Sequence, residues 1–143
     1  MLRRLTVRGY GFSHGLVQER TQGTYIHVAR MTPGEVAFIA GQVAIDAKGT
    51  PVGVGDVSAQ VPVVFDNLGK ILKDLGADFE SVVQFTTYLT SADYIPAFMT
   101  ARAALFPKMF PGDKYPPNTL LIVGRLVKPE FLLEVEAIAR LPG

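Results

Sequence analysis

The sequence predicts an α+β fold in which one mixed β-sheet carries two helices on the same face. Segments of strand composition alternate with two stretches of helical periodicity in the order β-β-β-α-β-α-β-β. Each helix lies between two strands, so both are expected to pack on one side of the sheet. The chain has 143 residues, of which 48% are hydrophobic, and this is enough to bury a core. We therefore expect residues 1–143 to form a single domain.

The first half of the chain has the composition of strands. Two short segments rich in β-branched and aromatic residues, 12–18 and 25–31, are separated by a polar stretch, which predicts a hairpin. After a Pro-Gly turn, residues 36–45 are apolar on both alternating faces, as expected for a central strand. Gly41 within this strand predicts a bulge or a close approach to the backbone.

A first helix is expected to begin at Asp56 or Ser58 and to end at Gly76. Its apolar residues recur at helical spacing. They are Val61, Val64, Phe65, Leu68, Leu72 and Leu75. Because proline is tolerated only near a helix start, Pro62 predicts an irregular first turn.

The second half continues with a strand at residues 82–89 and a second helix capped by Ser91 or Asp93. Pro96 lies in the permissive first turn of this helix, and Pro107 is expected to end it. The predicted buried stripe consists of Ile95, Phe98, Met99, Leu105 and Phe106. Two further strands are predicted at residues 119–126 and 131–139.

The last predicted strand has apolar residues on both faces. Leu132, Glu134, Glu136 and Ile138 share the face opposite Phe131, Leu133, Val135 and Ala137. A half-apolar second face predicts association with further copies of the chain. The two carboxylates are about 6 to 7 Å apart along the strand. They are either a pair suited to activating water or two acids on a solvated face.

Composition excludes several kinds of site. Cysteine is absent, and the histidines are His14 and His27, so neither disulfides nor a metal site nor any other cofactor is expected. Ser13 and His14 are neighbours in a predicted strand and point to opposite faces, which argues against a nucleophile and its base. A formal net charge of +1 argues against nucleic-acid partners. Neither a signal peptide nor a membrane span is predicted, so we expect a cytoplasmic location.

Short motifs that follow one another at characteristic spacings resemble the Rid (YjgF) superfamily, also called the L-PSP endoribonucleases. The motifs are FIAGQ at 38–42, Ile45-Asp46, Gly49, Gln60, Asn67-Leu68, Leu75-Gly76, PNT at 117–119, Val123, Arg125-Leu126 and LEVEAIA at 133–139. The resemblance covers about residues 24–140. It implies a chorismate-mutase-like α+β fold and a homotrimer with three clefts between subunits.

The resemblance also implies a divergent active site. In the deaminase branch of the family, an arginine pairs with the carboxylate of an imino-acid substrate, and Asn118 stands in that position. Asparagine donates hydrogen bonds but brings no charge. Three other polar positions of that branch are apolar here: a serine is replaced by Ala40, a cysteine by Leu120 and a helix asparagine by Met99.

Three features of the family's cleft remain. Tyr25 takes the place of the cleft tyrosine, and the backbone amide of Gly41 is placed to bind a ligand oxygen. Glu136 matches the glutamate that positions the hydrolytic water. A tyrosine and a glutamate together can move a proton between a ligand and water.

These substitutions predict a trimer that binds a small, mainly neutral metabolite without the 2-iminopropanoate deaminase activity of the family. The alternative is a hydrolase or deaminase of different scope, acting on an enamine, an imine or a related small substrate, in which Glu136 orients water and Tyr25 assists. A protein with vestigial clefts and a purely structural or regulatory role is a third reading. An endoribonuclease or translation inhibitor is less favoured, because the chain has neither a histidine pair nor an evident basic groove.

Overall fold

A computed structural model of the chain describes residue 29, residues 31–112 and residues 115–143. Within this part, four strands and two α-helices follow one another. They are β1 (Val36–Gln42), α1 (Val57–Asp74), β2 (Val82–Leu89), α2 (Ile95–Met109), β3 (Asn118–Ile122) and β4 (Leu133–Arg140). The hairpin predicted for residues 12–31 lies almost wholly outside the described residues.

The sheet is mixed, as predicted, with the strand order β1-β4-β2-β3. β4 pairs antiparallel with both β1 and β2, whereas β3 runs parallel to β2. Parallel neighbours need a long crossover connection, and α2 supplies it between β2 and β3.

Both helices pack on the face of the sheet that carries the alternate apolar residues of β4. Leu133, Val135, Ala137 and Ala139 are buried there, while the residues between them are partly exposed. The two helices and the sheet meet in the core at Phe65 of α1. Its ring packs edge-on against Phe85 of β2, with 5.6 Å between ring centroids, and against Phe106 of α2, with 5.3 Å. The prediction of a sheet with two helices on one face is therefore confirmed.

Helix α1 begins where the sequence predicts but tolerates its proline better than expected. Asp56 is the N-cap, and its carboxylate accepts a hydrogen bond from the Ala59 amide at 3.2 Å. The helix is assigned from Val57 through Pro62, so the prediction of an irregular first turn is wrong. Pro62 and Ser58, whose carbonyl the proline cannot bond, are both exposed, so water can satisfy that carbonyl.

Helix α2 differs from its prediction in the same way. Ser91 caps a short 3₁₀ turn at Ala92–Tyr94, and the α-helix continues through Pro107 to Met109. Pro107 therefore does not end the helix. Both Pro107 and Ala103, whose carbonyl the proline cannot bond, are exposed to solvent. Neither described helix is long and apolar enough to cross a membrane.

The last two strands differ from their predicted bounds because of their partners. β3 ends at Ile122 rather than residue 126, since Ile122 pairs with Leu89 and β2 extends no further. β4 begins at Leu133 rather than residue 131. Leu132 was expected to share a face with Glu134 and Glu136, but it precedes the strand and is buried, with 8% of its surface exposed.

Gln60 is a buried polar residue that ties α1 to two loops. Its Nε2 donates to the carbonyls of Gly53 at 3.2 Å and Glu130 at 2.7 Å, and its Oε1 accepts from the Leu132 amide at 2.9 Å. The side chain is fully buried. Three backbone groups, all at least partly buried, therefore depend on one amide for their hydrogen bonds.

The Gln60→Met substitution tests this role. Methionine fills the same volume without hydrogen bonds, so we expect the free energy of unfolding to fall by about 3 kcal/mol. Urea denaturation measures this change. The control is Lys73→Met on the exposed side of the same helix, which should alter stability by less than about 0.5 kcal/mol. A loss no greater than that of the control would show that the three bonds contribute nothing.

Candidate functional site

The face of the sheet turned away from the helices holds an open groove of about 310 Å³. Side chains from β1, β2 and β4 line it. They include Phe38, Ala40, Gln84, Thr86, Glu136 and Ile138. The structure therefore brings together two of the predicted site residues, Ala40 and Glu136. Phe38 is 79% exposed at its rim.

Gly41 lies in a bulge of β1, beside this groove. The pairing of β1 with β4 shifts register between Ile39 and Gln42, so the predicted bulge is present. Gly41 does not adopt a positive φ, yet a Cβ there would overlap the Glu134 carboxylate. Any larger residue would have to displace the Glu134 side chain, which is the close approach that the sequence predicted.

Glu136 is held by a residue that the sequence reasoning did not single out. The hydroxyl of Tyr88 donates a hydrogen bond of 2.9 Å to Glu136 Oε1. Tyr88 lies directly across from Glu134 in the pairing of β2 with β4, so its bond to Glu136 is a diagonal contact. One carboxylate oxygen is thus occupied while Oε2 is left for other partners.

Charge and burial shift the pKa values of Tyr88 and Glu134. The hydrogen bond to Glu136 raises the pKa of the Tyr88 hydroxyl, with smaller contributions from burial and from both carboxylates. Tyr88 therefore remains a donor at neutral pH. Partial burial raises the pKa of Glu134, and the negative charge of Glu136 raises it further. Both effects make Glu134 easier to protonate than a glutamate in water.

Asn118 lies on the opposite face of the sheet from Glu136. In the parallel pairing it stands beside Phe85, in the row that faces the helices. Its Oδ1 accepts a hydrogen bond of 2.8 Å from the hydroxyl of Thr87, which is 1% exposed. Within a single chain, the amide of Asn118 and the carboxylate of Glu136 cannot contact the same small molecule.

The other predicted site residues that the structure describes on β3 and α2 also lie on the helix side of the sheet, away from Glu136. Leu120 and Met99 are partly buried and pack against the hydrophobic core on the helix side. Leu120 is two residues from Asn118 on the same face of β3, so it gives Asn118 an apolar neighbour. Tyr25 lies outside the described residues, so its place in the cleft stays a prediction. Across residues 31–112 and 115–143, no three His, Asp or Glu side chains are grouped to hold a metal ion.

Arg102 is the charged residue that the predicted stripe of α2 omitted. It is 2% exposed, and its guanidinium stacks over the rings of Phe98 at 5.3 Å and Phe106 at 5.4 Å. Its position one turn from each phenylalanine is the sequence signal that could have found it. Ile95, Met99 and Leu105, which the stripe did include, are only partly buried.

The sequence profile of the endoribonuclease L-PSP family matches residues 18–141. The chain belongs to this family, within the Rid superfamily. A RutC family protein of Pyrococcus abyssi is 32% identical over 106 residues, which are 74% of this chain and 79% of that protein. The 3-aminoacrylate deaminase RutC of Acinetobacter baylyi is 30% identical over 105 residues, 73% of this chain and 78% of the relative.

The fold of this family member agrees with that of solved Rid proteins. The structure of the Rid protein YyfB from Yersinia pestis matches with a TM-score of 0.73 at 33% identity. The match covers 82% of this chain and 87% of YyfB. The resemblance that the FIAGQ, PNT and LEVEAIA motifs indicated is therefore confirmed.

Gly41→Ala tests the close approach of Glu134. The added methyl group must displace the carboxylate, so we expect a loss of about 1–3 kcal/mol in the free energy of unfolding. The Glu134→Ala background should remove most of this loss, because the clashing atoms are gone. Gly124→Ala is the control, since nothing lies within 4 Å of its added Cβ. Equal losses in both backgrounds would contradict the clash.

The Tyr88 hydroxyl provides a direct readout of the contact with Glu136. Because that contact raises the pKa of Tyr88, we expect Glu136→Gln to lower the pH at which the phenol ionises. Ultraviolet titration measures this, and subtracting the Tyr88→Phe curve isolates the single residue. An unchanged or higher ionisation pH in Glu136→Gln would mean that the carboxylate does not bond to Tyr88 in solution.

Proposed function

We propose that the chain forms a homotrimer that binds a small, mainly neutral metabolite in clefts between subunits, without the 2-iminopropanoate deaminase activity of its family. The observation that carries this proposal is the placement of Asn118 and Glu136 on opposite faces of one sheet. A ligand held by both residues needs the helix-side edge of one copy and the open face of another. A site assembled from two copies satisfies this geometry.

The open face has the composition of a surface that another copy covers. Phe38 is 79% exposed, and Ile138 and Ala40 lie beside it in the groove. Exposing a large aromatic ring to water is unfavourable, and burying it contributes about 1.5–3 kcal/mol. Glu134 and Glu136 are on the same face, so a covering copy has to leave these carboxylates solvated or hydrogen-bonded.

The loss of charge at Asn118 supports the absence of the family's deaminase activity. A bidentate arginine contributes two charge-assisted bonds to a carboxylate, each worth about 1.5–3 kcal/mol. Asn118 supplies no charge, and its Oδ1 already accepts from Thr87. Leu120, on the same face of β3, packs against the hydrophobic core and does not favour an anionic group beside Asn118.

A second function is favoured by the contact between Tyr88 and Glu136. A carboxylate fixed at one oxygen by a tyrosine can orient water with the other oxygen, as a hydrolase of enamines, imines or related substrates requires. The relative from Acinetobacter baylyi is named a 3-aminoacrylate deaminase. No contact among the described residues favours the ribonuclease activity in the family's name.

The assembly can be tested by light scattering after gel filtration. We expect a mass of about 46 kDa, three times the 15.5 kDa of one chain. Phe38→Glu should dissociate the trimer, because it replaces an apolar side chain at the rim of the groove with a charge that the interface would bury. Val54→Glu is the control, since Val54 is 61% exposed but lies in a loop away from this face. A stable wild-type monomer at micromolar concentration would refute the trimer.

The activity can be tested with freshly generated 2-iminopropanoate. We expect ammonia release at least about 100-fold slower than in a relative with the arginine, since losing about 3 kcal/mol corresponds to that factor. Asn118→Arg alone should recover little, because Ala40, Leu120 and Met99 remain apolar. The Glu136→Gln variant is assayed beside it.

The outcomes separate the two functions. Ammonia release comparable to that of the relative would contradict a binding protein, and its loss in Glu136→Gln would support the hydrolase instead. Substantial recovery in Asn118→Arg would show that the three apolar positions matter less than the missing charge.

A further inference from the structure

The hydrogen bond between Thr87 and Asn118 defines which groups Asn118 can offer to a ligand. Thr87 Oγ1 donates to Asn118 Oδ1 at 2.8 Å, and Thr87 is 1% exposed. No described residue accepts a hydrogen bond from Asn118 Nδ2. Asn118 itself is partly exposed at the start of the edge strand β3. One lone pair of its carbonyl accepts from Thr87, and its two N–H groups are available.

The reverse orientation of this amide is unfavourable. If Nδ2 pointed at Thr87, the hydroxyl would become an acceptor and its own proton would need another partner. Thr87 lies in β2 between two paired strands, where backbone carbonyls are engaged in the sheet. A buried hydroxyl proton without a partner costs about 1–3 kcal/mol. Thr87 therefore fixes the amide with its donors outward.

We infer that Thr87 and Asn118 together form a hydrogen-bond-donor subsite that selects a ligand with an uncharged carbonyl-type oxygen. This inference rests on the proposed function, since the subsite is one wall of the proposed cleft. An N–H group of Asn118 can donate to one lone pair of a ketone, amide or ester oxygen. A ligand that presents only an N–H donor at this point meets another donor and is rejected.

Charge decides between a neutral carbonyl and a carboxylate. An amide cannot offset the desolvation of an anion as an arginine can. In the proposed cleft, the facing open sheet contributes Glu134 and Glu136, whose charges oppose an anionic ligand. The subsite therefore favours the neutral oxygen over its carboxylate counterpart.

Pyruvamide and pyruvate test this preference, because they differ chiefly in the charge of one terminal group. Binding is followed in ¹⁵N-labelled protein by the side-chain NH₂ signals of Asn118. We expect pyruvamide to shift these signals and to bind more tightly than pyruvate. Thr87→Val, which keeps the shape but removes the hydroxyl, should weaken pyruvamide binding about fivefold, the cost of one hydrogen bond. Thr87→Ser keeps the hydroxyl and should restore binding.

Several outcomes would overturn the inference. Pyruvate binding as tightly as pyruvamide would do so, as would an intact trimer that binds neither probe. So would Thr87→Val with unchanged NH₂ signals and unchanged affinity. A monomeric wild type would instead refute the proposed function. The NH₂ signals still report on Thr87 in a monomer, so the two failures are distinguishable.

Discussion

The alternation of side chains along β4 is the constraint on which both the core and the candidate site depend. β4 lies between β1 and β2 and pairs with each, so every side chain it carries faces either the helices or the open side of the sheet. Leu133, Val135 and Ala137 complete the core, which fixes Glu134 and Glu136 on the other face. A shift of one residue would bury both carboxylates, so packing energy sets the position of the site.

Much of this architecture could be predicted from the sequence, because it follows from local patterns. The period of two in β4 and the helical spacing in α1 gave the elements and their buried faces. The prolines misled the prediction, since Pro62 and Pro107 face solvent, and water relieves the lost helical bonds. In these two helices, the presence of a proline was not enough to end the helix, because the residues around it are exposed to water.

The site was harder to predict, because its contacts join strands that are distant in sequence. Nothing local connects Tyr88 with Glu136 or Thr87 with Asn118; both pairs follow from strand register. The resemblance to the Rid family identified Glu136 and Asn118. It did not identify Tyr88 and Thr87, the residues that hydrogen-bond to them. Gln60 and Arg102 are buried polar residues that interrupt apolar helical stripes. This pattern is present in the sequence and could have indicated that both are buried.

The position of β4 within the sheet has a consequence for how the chain folds during its synthesis. β4 is the last of these strands in sequence, yet it separates β1 from β2, which are made earlier. Until it has left the ribosome, each of those two strands has an unpaired edge and the helices lack part of the surface they cover. Non-local pairing of this kind slows folding and leaves nascent chains open to aggregation. A chain interrupted before β4 lacks the strand that joins the two halves of its sheet, and quality-control proteases would meet it in an open form.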